Sequence, residues 1–256
     1  MTRSWALVTG ATSGIGESFT RLLAANNYNI VLVARDLPRL QERAAGLVST
    51  YGVETSIIQA DLCGDVGCAL VEKYISENEI DVLINNAGFG INKAFTVSAM
   101  QDEQDLLDVL VRTPMRLMHT ALPGMKARDR GIIINISSVA GFIAGGTYSA
   151  SKSYLTVLSE SLHTELAGTR VLVSALCPGF TRTEFHQRGR MSMKGLPAFM
   201  WLNADKLVAK AWIDALKGKA ISVPGWQYQL LTFVMRFAPR PMVRKIGMKV
   251  RVKQRR

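Results

Sequence analysis

Residues 146 to 155 read GTYSASKSYL, which sets Tyr148 and Lys152 four positions apart among small residues. On a helix that spacing puts both side chains on one face, one turn apart. A free phenol titrates near pH 10 and transfers its proton poorly at neutral pH. A unit positive charge at about 4 Å, in an effective dielectric near 20, contributes on the order of 4 kcal/mol, or up to about three pKa units. The pair can thus be a proton donor tuned by a cation, or merely the amphipathic start of a helix. Upstream, Ser138 follows Ser137 at the end of an apolar run. Its hydroxyl can hydrogen-bond a developing negative charge on oxygen or cap a turn, the commoner use of serine there.

Elements must position these groups. Short β-branched runs alternate with longer helical stretches, the pattern of repeated βαβ units and a parallel sheet. Strands are predicted over 5–8, 29–34, 55–60, 81–85, 131–137, 170–176 and 220–224, and helices over 15–26, 37–50, 64–76, 103–127, 148–167 and 204–217. Pro114 should bend or restart the fourth helix. Seven strands with helices between them describe one doubly wound α/β domain. Such sheets bind ligands outside the carboxyl ends of their strands, where the winding reverses.

The strand ends carry unusual residues. After the first strand comes TGATSGIG, with Gly10, Gly14 and Gly16 running into a helix. Such glycines let backbone approach a pyrophosphate that the helix N-terminus then holds, or simply make a strand-to-helix turn. Arg35 follows the second strand, where folds that prefer NAD usually hold an acid. A cation there can pair with a 2'-phosphate, favouring NADP(H) over NAD(H), or can be a solvated residue opening a helix. Asp36 beside it can hydrogen-bond a ribose hydroxyl, which leaves the preference open. Asp61 follows the third strand, NNAG (85–88) the fourth, where Asn85 and Asn86 can act as turn formers, and CPGFTRT (177–183) the sixth.

Composition narrows the function classes. The chain has 256 residues, 48% hydrophobic and 20% charged, as an ordinary globular protein does. No signal-peptide pattern opens it and no run of 18 apolar residues occurs. Cys63, Cys68 and Cys177 lack CxxC spacing or nearby histidines, so neither a disulfide framework nor a zinc site is expected and a reducing cytoplasm fits best. The net charge is +11, yet eight basic and no acidic residues lie from Arg240 onward, leaving 11 − 8 = +3 for the rest. Nucleic-acid binding is not expected, because no aromatic-basic face or binding motif accompanies the tail.

With TGxxxGIG, NNAG, SS, YxxxK and PG in this order, each at a strand end, the chain resembles the short-chain dehydrogenases/reductases from residue 4 to about 224. The resemblance implies a Rossmann-like fold and transfer of hydride between a nicotinamide and a carbonyl or alcohol carbon. It implies Tyr148 as the general acid or base, Lys152 as its tuning cation and a ligand of the nicotinamide ribose, and Ser138, rather than Ser137, against the substrate oxygen. Cofactor contacts carry over to Gly10, Ser13, Ile15 and Gly16 at the phosphates and Arg35, Asp61 and Leu62 at the adenosine. Asn85, Ala87 and Gly88 fall on the ribose side, and Pro178, Gly179, Thr181 and Thr183 towards the nicotinamide; the two threonines can equally be a capping pair. A homodimer or homotetramer is implied.

Two departures stand out. The serine and tyrosine lie 148 − 138 = 10 residues apart, about three fewer than usual, so the loop VAGFIAGGT is short. Leu110 occupies the place of the family's catalytic asparagine, which holds a helix kink and a water linking lysine to solvent. Leucine can do neither through its side chain, so an altered proton relay is expected, and a cofactor-binding protein with little turnover is the alternative function. A substrate lid is expected over about 183–203, where Met191, Met193, Leu196, Phe199, Met200 and Trp201 either close onto the core or meet a bulky apolar carbonyl compound. The dehydrogenase domain is placed at 1–225. Residues 226–256 should form an apolar helix and a basic tail, packed on a neighbouring subunit or against an anionic membrane.

Overall fold

The β-branched runs are the strands of a computed structural model that describes residues 3–189 and 196–255. Among the described residues, β1 (Trp5–Thr9), β2 (Asn29–Ala34), β3 (Thr55–Gln59), β4 (Val82–Asn85), β5 (Gly131–Ile136), β6 (Val171–Leu176) and β7 (Ile221–Ser222) form one parallel sheet. Their order is β3-β2-β1-β4-β5-β6-β7. Ala6 of β1 pairs with Ile30 on one side and Val82 on the other, so the winding reverses between β1 and β4.

Side chains alternate through the sheet because strand periodicity is two. Ala6, Val8, Ile30 and Leu32 point to one face, where Phe19 and Leu23 of α1 (Gly14–Ala25), Leu40 and Leu47 of α2 (Leu37–Tyr51), and Val208 and Trp212 further along cover them. Leu7, Val31 and Leu83 point to the other, against Val71 and Ile75 of α3 (Asp65–Glu77) and, later in the chain, Leu117 and Met125. Each fully buried leucine or isoleucine contributes about 1.5–3 kcal/mol. This two-sided burial explains why the strands read as continuous apolar runs.

The long fourth helix is three pieces: α4 (Met100–Leu107), a π-helical turn (Asp108–Arg112) and α5 (Thr113–Ala127). Thr113 donates its N–H to the Asp108 carbonyl five residues back, and Pro114 has no N–H to give the Leu110 carbonyl. The proline thus restarts the helix, as expected. The remaining helices are α6 (Thr147–Glu165), the single turn α7 (Phe185–Arg188), α8 (Ala204–Leu216, which carries Val208 and Trp212), α9 (Trp226–Phe237) and α10 (Arg240–Arg255). The last one corrects the expected tail: after Pro239 the basic segment is a second helix, its Val243 buried and its Gly247 against the Ala144 backbone.

Candidate active site

The glycine loop is built for close backbone approach. Gly10 and Gly14 hold φ of 65° and 58°, a region glycine enters without strain. A Cβ on Gly16 would stand 2.3 Å from the Gly10 carbonyl oxygen. Asn86 donates from Nδ2 to the Thr9 and Gly10 carbonyls at 2.9 and 3.2 Å. The Thr9 hydroxyl accepts from the Asn86 and Ala87 N–H groups at 2.9 and 3.0 Å. Asn86 therefore fastens NNAG to the glycine loop, which is more than turn formation. Ser13 opens α1 in an extended conformation with no side-chain cap bond, so the first-turn amides and the positive helix end are available to an anion. These residues fit a dinucleotide pyrophosphate.

At the adenosine end, the Asp36 carboxylate accepts from the Arg39 N–H at 3.1 Å and caps α2. That engagement commits one carboxylate oxygen to the helix cap. Arg35 stands exposed, 3.7 Å from Asp61, and such surface pairs contribute only about 0–1 kcal/mol. Leu62 is buried, its carbonyl accepting from the Thr113 hydroxyl. Ile15 packs on the core.

Ser138, Tyr148 and Lys152 converge beyond the end of β5. The Ser138 hydroxyl accepts from the Ala140 N–H at 3.1 Å and so does cap a short 3-10 turn, Val139–Phe142. It also donates weakly to the Pro178 carbonyl at 3.5 Å, and it lies in hydrogen-bonding reach of the Tyr148 phenol. Ser137 instead bonds the Lys152 carbonyl at 2.7 Å and the Thr156 hydroxyl at 2.6 Å, holding α6 to the sheet. The short loop is accommodated by glycine: a Cβ on Gly141 would come within 3.0–3.1 Å of the Lys152–Ser153 backbone, and one on Gly145 within 2.5 Å of Ser149 Oγ. The turn lies directly on α6.

The four-residue spacing does not by itself bring the phenol below its ordinary value. Lys152 Nζ is 5.7 Å from the Tyr148 ring centroid and donates to the Ile136 carbonyl at 2.6 Å. Burial pushes the Tyr148 phenol up to about 12, with the Ser138 hydrogen bond pulling the other way. Burial also lowers Lys152 to about 8. Desolvation is the largest cause of both shifts.

Leu110, 1% exposed, sits in the π-helical turn with its side chain against Gly88: a Cβ there would meet Leu110 Cδ2 at 2.9 Å and Lys152 Nζ at 4.0 Å. The helix distortion expected to need asparagine is present without it, because Pro114 removes the bond that would straighten the turn. A cavity of about 10 Å³, lined by Thr9, Asn85, Leu110, Thr113 and Lys152 among others, lies beside it. That is the lower limit for one water.

Beyond β6, Thr181 is buried and donates to the Gly179 carbonyl at 3.1 Å, while Thr183 Oγ1 accepts from the Phe185 N–H at 3.3 Å. Both make local turn bonds, yet Thr183 also faces Gly14 at the start of α1, across the glycine loop. The Pro178 carbonyl accepts from the Val139 N–H at 3.0 Å. Of the lid, Leu196 and Phe199 to Trp201 are described, whereas Met191 and Met193 lie outside the described residues.

Two positions escaped sequence reasoning. Asn135, buried in β5, accepts from Asn85 Nδ2 at 2.8 Å and donates to Ser159 at 2.9 Å. An amide inside GIIINIS was its signal. Tyr228 of α9 is buried, donates to the Met200 carbonyl at 2.5 Å and accepts from the Phe180 N–H at 3.0 Å. A Cβ on Gly179 would stand 2.0 Å from its ring. No local pattern marks it.

A family model described as short chain dehydrogenase matches residues 4–193. The very-long-chain 3-oxoacyl-CoA reductase of Coprinopsis cinerea is 31% identical over 245 residues, 91% of this chain and 71% of that protein. The inactive hydroxysteroid dehydrogenase-like protein 1 of Homo sapiens is 34% identical over 187 residues, 70% of this chain and 56% of that one. Among solved structures, a short-chain dehydrogenase from Sphingobium yanoikuyae in complex with NADPH superposes with a TM-score of 0.83 at 31% identity, covering 91% of this chain and 93% of that one. A nicotinamide-binding oxidoreductase fold, the motifs on its strand ends and these likenesses agree: the chain belongs to the short-chain dehydrogenase family, whose members act on CH-OH and C=O groups.

Proposed function

We propose that this protein is an NADP(H)-dependent reductase of a bulky, apolar ketone or aldehyde, or a dehydrogenase of the matching alcohol. The observation that carries the reading is the convergence of the Ser138 hydroxyl, the Tyr148 phenol and the Lys152 ammonium beyond β5. The nicotinamide supplies or takes the hydride when bound. Ser138 holds the substrate oxygen, Tyr148 gives it a proton in reduction or removes one in oxidation, and Lys152 supplies positive charge behind the phenol. Gly10, Ser13 and Gly16 hold the pyrophosphate and Arg35 the 2'-phosphate, with Asp36 held in its cap. The apolar lid residues Phe199 to Trp201, and the very-long-chain acyl substrate in the name of the Coprinopsis relative, support a large apolar substrate.

A spectrophotometric screen of aldehydes, keto-lipids and steroids with NADPH and NADH tests this. Oxidation of NADPH by bulky ketones in preference to small ones is expected; turnover of small polar carbonyls alone contradicts it. A second reading, cofactor binding with little turnover, is favoured by Leu110 beside Lys152 and by the relative named inactive. Quenching or enhancement of NADPH fluorescence without oxidation across the panel selects it.

A further inference from the structure

Helix α9 is apolar on two opposite sides. Tyr228, Thr232 and Met235 lie against the protein. On the other side Trp226, Leu230, Phe233 and Phe237 succeed one another at helical spacing, with 71%, 57%, 62% and 75% of their surface exposed. The Phe233 and Phe237 rings meet edge to face, centroids 5.3 Å apart. A contiguous exposed stripe of large apolar side chains marks a contact surface. Arg236 stands on the same helix and Arg240, Arg244 and Lys245 follow on α10; all four are exposed, as are Met242 and Met248 of α10.

We propose that this face docks onto an anionic lipid surface, with α9 lying in the plane of the interface. The charge argument selects the occupant. Eight cations and no acid follow Pro239, whereas the preceding chain carries only +3. A two-fold contact with a second copy through this face would bring two such segments together, and like charges at an interface are costly. A bilayer bearing acidic headgroups instead meets the cations while its hydrocarbon boundary takes the aromatic stripe. Spanning is not involved, since among the described residues no helix is long and apolar enough to cross a membrane.

The inner side of α9 connects the surface to the site. Tyr228 holds Phe180 and Met200, and Gln227 donates to the Phe199 carbonyl at 3.0 Å. Docking would set the lid beside the bilayer, from which an apolar substrate would come; that consequence rests on the proposed substrate class, the docking itself does not.

Flotation of the full chain with vesicles of phosphatidylcholine, alone or with phosphatidylserine, tests the proposal. Binding is expected with phosphatidylserine only, weakening as salt is added. Arg240→Gln with Arg244→Gln should lower the partition coefficient about 25-fold, about fivefold per cation. Phe233→Ser with Phe237→Ser should abolish flotation at an unchanged melting temperature, because both rings are exposed. Failure to float with phosphatidylserine vesicles overturns the proposal, as does flotation of the double-serine variant at the native level. Gel filtration showing a native dimer that the double-serine variant dissociates would assign the face to a second copy instead.

Discussion

At Lys152 the cost of burying a charge has a direct kinetic reading. Burial lowers its pKa to about 8 and raises that of Tyr148 to about 12. A lysine whose pKa is depressed loses its cation on the low-pH side of its ordinary range. In the proposed reduction the tyrosine is protonated and backed by a cationic lysine, so kcat/KM for reduction should hold steady below about pH 8 and fall above it. A decline beginning only near pH 10 would mean that the lysine is not desolvated when substrate binds. Leu110 poses the complementary test. Its side chain lies against Gly88 and lines, with Lys152, a cavity with room for about one water, and it offers that water no polar group. Leu110→Asn should raise turnover by up to about 100-fold, the lower end of what positioned proton transfer contributes. The buried amide should cost about 1–3 kcal/mol of stability where it lacks a partner. Rate constants unchanged in both directions would show that protons do not pass this position.

Elements fix these residues through a few backbone contacts that tolerate no added atom. Gly179 leaves the sheet at the end of β6 with the Tyr228 ring against it. That ring cannot swing aside, because its hydroxyl is held by Phe180 and Met200. Gly179→Ala should therefore destabilise by about 1–3 kcal/mol. The penalty should largely vanish in a Tyr228→Ala background, since the two changes share one contact. Urea unfolding of the singles and the double decides; strict additivity would mean that the clash is relieved elsewhere. The sequence made the strands and the motifs at their ends legible, because β-branched runs and glycine-rich turns are local signals. Pro114 likewise announced the break in the fourth helix, although not that a π-helical turn would keep the distortion without asparagine. What stayed hidden depends on distant partners: Tyr228 acts 49 residues from Gly179, and the phenol and lysine pKa values follow from burial that i,i+4 spacing does not report. The helix after Pro239 was hidden for a related reason, since its basic pattern reads as solvated chain until Val243 is buried and Gly247 meets Ala144 of the loop before α6.

For the whole molecule, the candidate cofactor residues are distributed over nearly every strand end: Gly10 after β1, Arg35 after β2, Asp61 after β3, Gly88 after β4 and Thr183 after β6. A ligand touching all of them must stabilise the native state as a unit, because no single element can unfold and keep it. Binding at 100 times Kd contributes about 2.7 kcal/mol. In a chain of this size that raises the melting temperature by about 5–10 °C. The two dinucleotides should differ. Arg35 is exposed and, among the described residues, paired with Asp61 at 3.7 Å, a contact too weak to retain it against a phosphate. If the proposed charge-assisted bond to the 2'-phosphate forms, its about 1.5–3 kcal/mol would make NADPH at least tenfold tighter than NADH, and at equal concentration its shift should be larger by about 3–5 °C. Arg35→Ser should bring the two shifts together without lowering that of NADH. Equal shifts in the native protein would place the 2'-hydroxyl, and not a phosphate, beside Arg35.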